Sequence, residues 1–96
     1  MPVSQVTKDV AAAGTAEALA ASKRVAWISI QAKAGNSGKI FVGDKNVDST
    51  TFGVELSPRD EYVLPFMAGV NEYNLSEIFI DAEVSGNGVT VLFAQR

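Results

Sequence analysis

From Lys23 onward the apolar side chains return at every second position, with no run of helical spacing between them. In the first stretch Ala26, Ile28, Ile30 and Ala32 fall on one side and Val25, Trp27, Ser29 and Gln31 on the other. That pattern predicts a strand, because successive side chains of a pleated backbone point to opposite faces. Ala34-Gly35-Asn36-Ser37-Gly38 supplies residues that tolerate turn backbone, and Ile40-Phe41-Val42 follows, so residues 24 to 43 read as a hairpin. Val54 and Leu56, the turn signal Ser57-Pro58-Arg59-Asp60, and Tyr62-Val63-Leu64 read as a second, looser one. Ile78, Ile80 and Ala82, then Ser85-Gly86-Asn87-Gly88, then Val89, Val91 and Phe93 predict a third. Residues 43 to 53, polar and rich in Asp, Ser and Thr, read as a loop. Residues 67 to 76 read as a connection over one end of the domain.

The amino-terminal quarter is less direct. Asp9 to Ser22 is rich in alanine, the best helix former, but Gly14 and Thr15 interrupt it and a helix so poor in large side chains would bury little area. Extended segments near residues 5 to 12 and 15 to 21 are the better expectation. Ninety-six residues, 47% of them hydrophobic, suffice for one core and not for two. The expected architecture is all-β: a small antiparallel β-sandwich, jelly-roll or Ig-like, occupying residues 14–96, preceded by an extended N-terminal arm over residues 1–13.

Net charge is −3, the sequence pI is about 4.7, and the eight Lys and Arg residues are scattered, which speaks against a nucleic-acid partner, since tracking phosphates needs a basic stripe. The start, Met1-Pro2-Val3-Ser4-Gln5, lacks a charged and then apolar leader, and no apolar run reaches membrane-spanning length. The expectation is a complete, soluble chain made in a cytoplasm, with no membrane partner. Cysteine and histidine are absent, removing the strongest nucleophile, the commonest general base and the best transition-metal ligand, so neither an enzyme nor a cofactor is expected. Asp81 and Glu83 share one strand face and Asp60-Glu61 follow a turn, but neither pair adjoins a recognisable substrate motif; solvated faces and turn chemistry explain both.

Asp44, Asn46, Asp48 and Glu55 occupy the first, third, fifth and twelfth places of a calcium loop. Ser49 stands where such a loop needs glycine, and the flanking runs are strand-like, so calcium is a secondary reading. Trp27, the only tryptophan, faces away from Ile28 and Ile30 and suits subunit packing ahead of ligand stacking. Phe41, Phe79 and Phe93 read as core or interface. Apolar residues on strands or in the arm make the interface candidates: Val3, Val6, Val10, Trp27, Phe52, Phe66, Met67 and Tyr73. A carbohydrate-binding module is the competing reading, with Trp27, Tyr62 or Tyr73 stacking a sugar and Asp81 or Asn71 bonding its hydroxyls.

An ordered set of phrases then stands out: Gly14-Thr15-Ala16-Glu17-Ala18-Leu19, Val25-Ala26-Trp27-Ile28-Ser29-Ile30-Gln31-Ala32, Asn36-Ser37-Gly38-Lys39-Ile40-Phe41-Val42-Gly43-Asp44, Leu56-Ser57-Pro58-Arg59-Asp60-Glu61-Tyr62-Val63-Leu64-Pro65 and Ile78-Phe79-Ile80-Asp81-Ala82. Together they resemble a family of small tailed-bacteriophage virion proteins, often encoded beside the major capsid protein. The family usually has glycine in the turn after proline, where this chain has Arg59-Asp60. The resemblance implies a β-sandwich on the capsid surface, a decoration or cement protein that binds the major capsid protein or other virion subunits and carries no catalytic residue. A head-fibre base, tail or baseplate module is the alternative within the virion. Particle symmetry makes a closed homo-oligomer the expectation, a trimer first, with the arm reaching onto a neighbour.

Overall fold

The computed structural model describes residues 3–64 and 73–95. Its strands are β1 (Val3–Asp9), β2 (Glu17–Ala18), β3 (Arg24–Ala32), β4 (Ile40–Gly43), β5 (Val54–Leu56), β6 (Glu61–Leu64), β7 (Tyr73–Asn74), β8 (Phe79–Ala82) and β9 (Gly88–Gln95), with a 3-10 turn at Leu75–Glu77. The alanine-rich stretch forms no helix, and no helix among the described residues is long and apolar enough to cross a membrane.

The large sheet has the order β1-β9-β3-β6, with β7 also on β3, and the small sheet the order β2-β8-β4-β5. All pairings are antiparallel, and the two layers form the sandwich that the period-two pattern predicts. In chain order the pairs are β1 with β9, β2 with β8, β3 with β6 and β4 with β5. This is one antiparallel ribbon rolled over two layers, the jelly-roll winding, and it decides between the two sandwich types left open by the sequence. Val3–Asp9 is extended, as expected of the arm, and pairs along its whole length with β9, so this part of the arm is a strand of the sandwich.

The strands lie where the alternation puts them, but the three expected hairpins are corrected. β3 and β4, β5 and β6, and β8 and β9 each sit in opposite sheets, so the turns between them are arches from one layer to the other. Alternation cannot distinguish the two cases, because either way each strand turns one apolar face to the same core. Among the described residues the hairpin that forms is β4 with β5, across the loop 44–53.

Between the layers Ile28, Ile30, Val91 and Phe93 of the large sheet meet Ile40, Val42, Ile80 and Leu56 of the small one, all buried. Each such side chain contributes roughly 1.5–3 kcal/mol. A bulge in β3 shifts the register between Val25, opposite Gln95, and Trp27, opposite Ala94. The extra residue turns Val25 into the core, where it is fully buried. This corrects its expected place on the Trp27 side, since one inserted residue reverses the facing of everything before it.

Two arches are clasped together by asparagines. Asn36 Nδ2 donates to the Gly88 carbonyl (2.9 Å) and its Oδ1 accepts from the Gly88 N–H (3.0 Å). In return, Asn87 Oδ1 accepts from the N–H groups of Ser37 (3.0 Å) and Gly38 (2.9 Å). Val10 joins them through backbone bonds to Asn87 and Gly86, both 2.8 Å.

The third arch is a tight turn in which Asp60 N–H donates to Ser57 O (2.9 Å) and Arg59 has φ of 75°. Arg59 is the only non-glycine among the described residues in the left-handed region, and the resembled family's glycine belongs to this turn. A Cβ there costs roughly 1–2 kcal/mol, part of which the greater unfolded-state freedom of glycine offsets. Arg59→Gly is therefore expected to stabilise the fold by up to about 1 kcal/mol, a rise of about 4–8 °C in melting temperature. An unchanged or lower value in thermal unfolding would refute the strain.

Candidate functional site

The outer face of the large sheet is the surface least explained by the fold. Antiparallel pairing places Val3, Ala94 and Trp27 in one row and Gln5, Leu92, Ser29 and Val63 in the next. Thr7, Thr90 and Gln31 make a third row, ending at Glu61. Val3 is 57% exposed, Val63 45% and Leu92 38%, while Trp27 is half-buried. Charge stays at the two ends of the face: Arg24 at one, and Glu61 with the Lys33–Asp9 ion pair (2.7 Å) at the other. The outward positions of a sheet with one solvated face are ordinarily polar, so the exposed apolar residues of this uncharged middle make it the candidate contact surface.

Of the expected contact residues, the structure brings Val3 and Trp27 together here and places Val6, Val10, Phe52 and Tyr73 elsewhere. Val10 is fully buried, and Val6 and Tyr73 are half-buried against the core, so these three are corrected to packing residues. Phe66 and Met67 lie outside the described residues, as does Asn71. Leu92 and Val63 were the missed members. The signal for them was present in the sequence, since each is a large apolar residue at an outward position of an alternating strand. No flat sugar platform joins Trp27 to Tyr62, because Tyr62 pairs with Ile30 and so takes the opposite facing.

A second exposed aromatic lies across the molecule. The loop 44–53 folds back over the outer face of the small sheet, and the Phe52 ring packs on Phe41 at 5.2 Å between centroids. Phe41 and Val47 are buried beneath it, while Phe52 stays 41% exposed. A cleft of about 240 Å³ opens between Gly43, Asp44, Thr51, Phe52 and Gly53.

The calcium pattern dissolves in this loop. Asp44 Oδ1 accepts from Asn46 N–H (2.9 Å), and Asp48 Oδ1 accepts from Thr50 N–H (2.9 Å), Thr50 Oγ1 (2.9 Å) and Thr51 N–H (2.7 Å). Glu55, on β5, pairs with Lys39 at 3.0 Å. The carboxylates thus shape turns, and no group of three or more potential metal-binding side chains is gathered among the described residues.

Asp81 and Glu83 do border a common open cleft of about 350 Å³, with Gly14, Asp48 and Ser49. Asp81, 1% exposed, accepts from Gly14 N–H (2.9 Å) and Ala82 N–H (2.8 Å), and Glu83 accepts from Lys39 N–H (3.2 Å). Asp81 ties the loop at Gly14 to the small sheet and Glu83 ties the stretch before β4 to the end of β8, which accounts for a buried carboxylate without assigning it a reaction.

Two carboxylates titrate low. Glu17, bridged to Lys8 at 2.9 Å across the edges of the two sheets, is held below its ordinary 4.5 by that ammonium and then by Ala11 N–H. Asp48 is held below 3.8, chiefly by the Thr50 N–H. Both favour the charged form when folded, so their stabilisation is complete above the ordinary values and drains away as pH falls through the lower folded ones. Melting temperature is expected to decline on acidification below about pH 4.5, and Asp48→Asn to flatten part of that decline. A decline as steep in Asp48→Asn as in the parent would refute the role of Asp48. Lys39 is pushed up by Glu55, so its contribution is lost only as pH rises past 10.5.

Comparison with family models, with curated proteins and with solved structures returns no match. The functional reading therefore rests on the residues and their arrangement.

Proposed function

We propose that this protein is a non-enzymatic structural subunit of a bacteriophage virion, a capsid decoration or cement protein. It is made in the host cytoplasm and binds the major capsid protein shell as a homo-oligomer, which stabilises the particle. The observation that carries the reading is that large apolar side chains stand exposed on opposite sides of one small sandwich: Val3, Val63 and Leu92 on the large sheet, Phe52 on the strap over the small one. A cement protein has to touch shell and neighbour at once, and two separate apolar patches on a rigid body provide for that. The ordered phrases resembling small phage virion proteins support it, as does a jelly-roll, a winding that serves in viral capsid domains among others. In this reading Phe52 and the adjoining cleft take an apolar side chain of the shell.

Co-sedimentation with expanded and unexpanded phage shells tests this. Saturation at hundreds of copies per expanded shell, a raised shell melting temperature and binding at least tenfold weaker for Phe52→Glu are expected. No shell binding removes the proposal, and a handful of copies per particle transfers the protein to the tail or head fibre.

A further inference from the structure

We infer that two copies of this chain pack face to face through the outer surfaces of their large sheets, an inference that rests on the binding role proposed above and names its second partner. The chain is acidic, with net charge −3, so two copies repel on contact unless they meet where charge is missing. The middle of this face offers that: Val3, Leu92, Val63 and Trp27 are interspersed only with neutral polar side chains. A neutral apolar surface complements itself, which suits an isologous two-fold contact.

Orientation follows from the ends. Rotation about an axis across the strands lays the Arg24 end of one copy over the Glu61 end of the other, whereas an axis along the strands would set Glu61 near Glu61. The first arrangement joins opposite charges and the second like ones, so the sheets pack with β3 of the two copies running in opposite directions, within the usual angle of about 30°.

Area sets the strength. Four strands about 4.8 Å apart, rising about 3.3 Å per residue over some seven residues, give a footprint of roughly 450 Å² per copy. Two such faces amount to about 900 Å², below the roughly 1,200 Å² of stable specific interfaces and in the range of weak, transient ones. The pair is therefore weak in solution and fills on a shell where local concentration is high. A ring of three would need two different complementary patches; the self-complementary face makes a pair instead of the expected trimer.

Sedimentation velocity from 5 µM to 1 mM is expected to show a monomer–dimer equilibrium that added salt does not weaken. Leu92→Glu, exposed and central, is expected to weaken it at least tenfold while leaving the melting temperature of dilute protein unchanged. The chain has no cysteine, so Ser29→Cys is expected to give an oxidised cross-linked dimer, and Thr50→Cys, on the far loop, to give none. A monomer at 1 mM, a trimer, or a dimer untouched by Leu92→Glu and not trapped by Ser29→Cys overturns the inference. Shell saturation by a strictly monomeric protein removes this inference alone, and a dimer that ignores shells removes the decoration reading alone.

Discussion

Gly88→Ala is expected to lower the melting temperature by roughly 12–24 °C, corresponding to about 3 kcal/mol. Gly88 opens β9 directly opposite Asp9, and a methyl group there would run into the backbone of Lys8 and Asp9 as well as the Asp9 carboxylate. The obstruction is main chain, so no rotamer change relieves it. Either β1 peels away from this end of β9 or β9 shifts and breaks its bonds to Asn36. Both outcomes release the edge strand. Thermal unfolding followed by circular dichroism reads the effect, and a loss under about 3 °C would show that β1 is not held at that end.

The second large effect is expected from the asparagine clasp: Asn36→Ala and Asn87→Ala should each cost about 2 kcal/mol. Asn36→Ala strips the buried Gly88 N–H of its side-chain acceptor, and Asn87→Ala strips the N–H groups of Ser37 and Gly38. Since each asparagine holds the loop that presents the other, the double variant is expected to fall short of the sum by about 1 kcal/mol. Urea unfolding measures all three, with an unchanged slope showing that midpoints report stability. Additive losses would mean that the two loops are fixed independently.

These two predictions concern residues whose importance alternation does not reveal. The strands were legible because burying one face of a pleated ribbon imposes period two, and Ile28, Ile30, Val91 and Phe93 obey it. Their partners were not legible. Asn36-Ser37-Gly38 and Gly86-Asn87-Gly88 look like hairpin turns because hairpins and arches both need residues that tolerate unusual backbone. What distinguishes them is whether the bonds go to a ladder or to a facing loop, and that depends on residues some fifty positions away. Val25 escaped for a local reason, since one bulged residue before Trp27 inverts the facing. Half of the candidate surface was visible as Val3 and Trp27. The rest came from Leu92 and Val63, which are unremarkable on their own strands and become a surface only when β9 and β6 are set either side of β3.

The place of β9 in the large sheet has a consequence for how the chain acquires its structure. This strand lies between β1 and β3, yet it is the last of the described strands in chain order. While the polypeptide is being synthesised, β1 lacks its partner and β3 lacks one flank until Gly88–Gln95 has been translated. Folding of the large sheet therefore waits for Gly88–Gln95 and joins segments distant in sequence, the regime of slow nucleation and exposed strand edges. Shortened products that stop before Gly88 cannot be partial versions of the domain; they are sandwiches missing the middle of one slice, left for proteases or chaperones to clear.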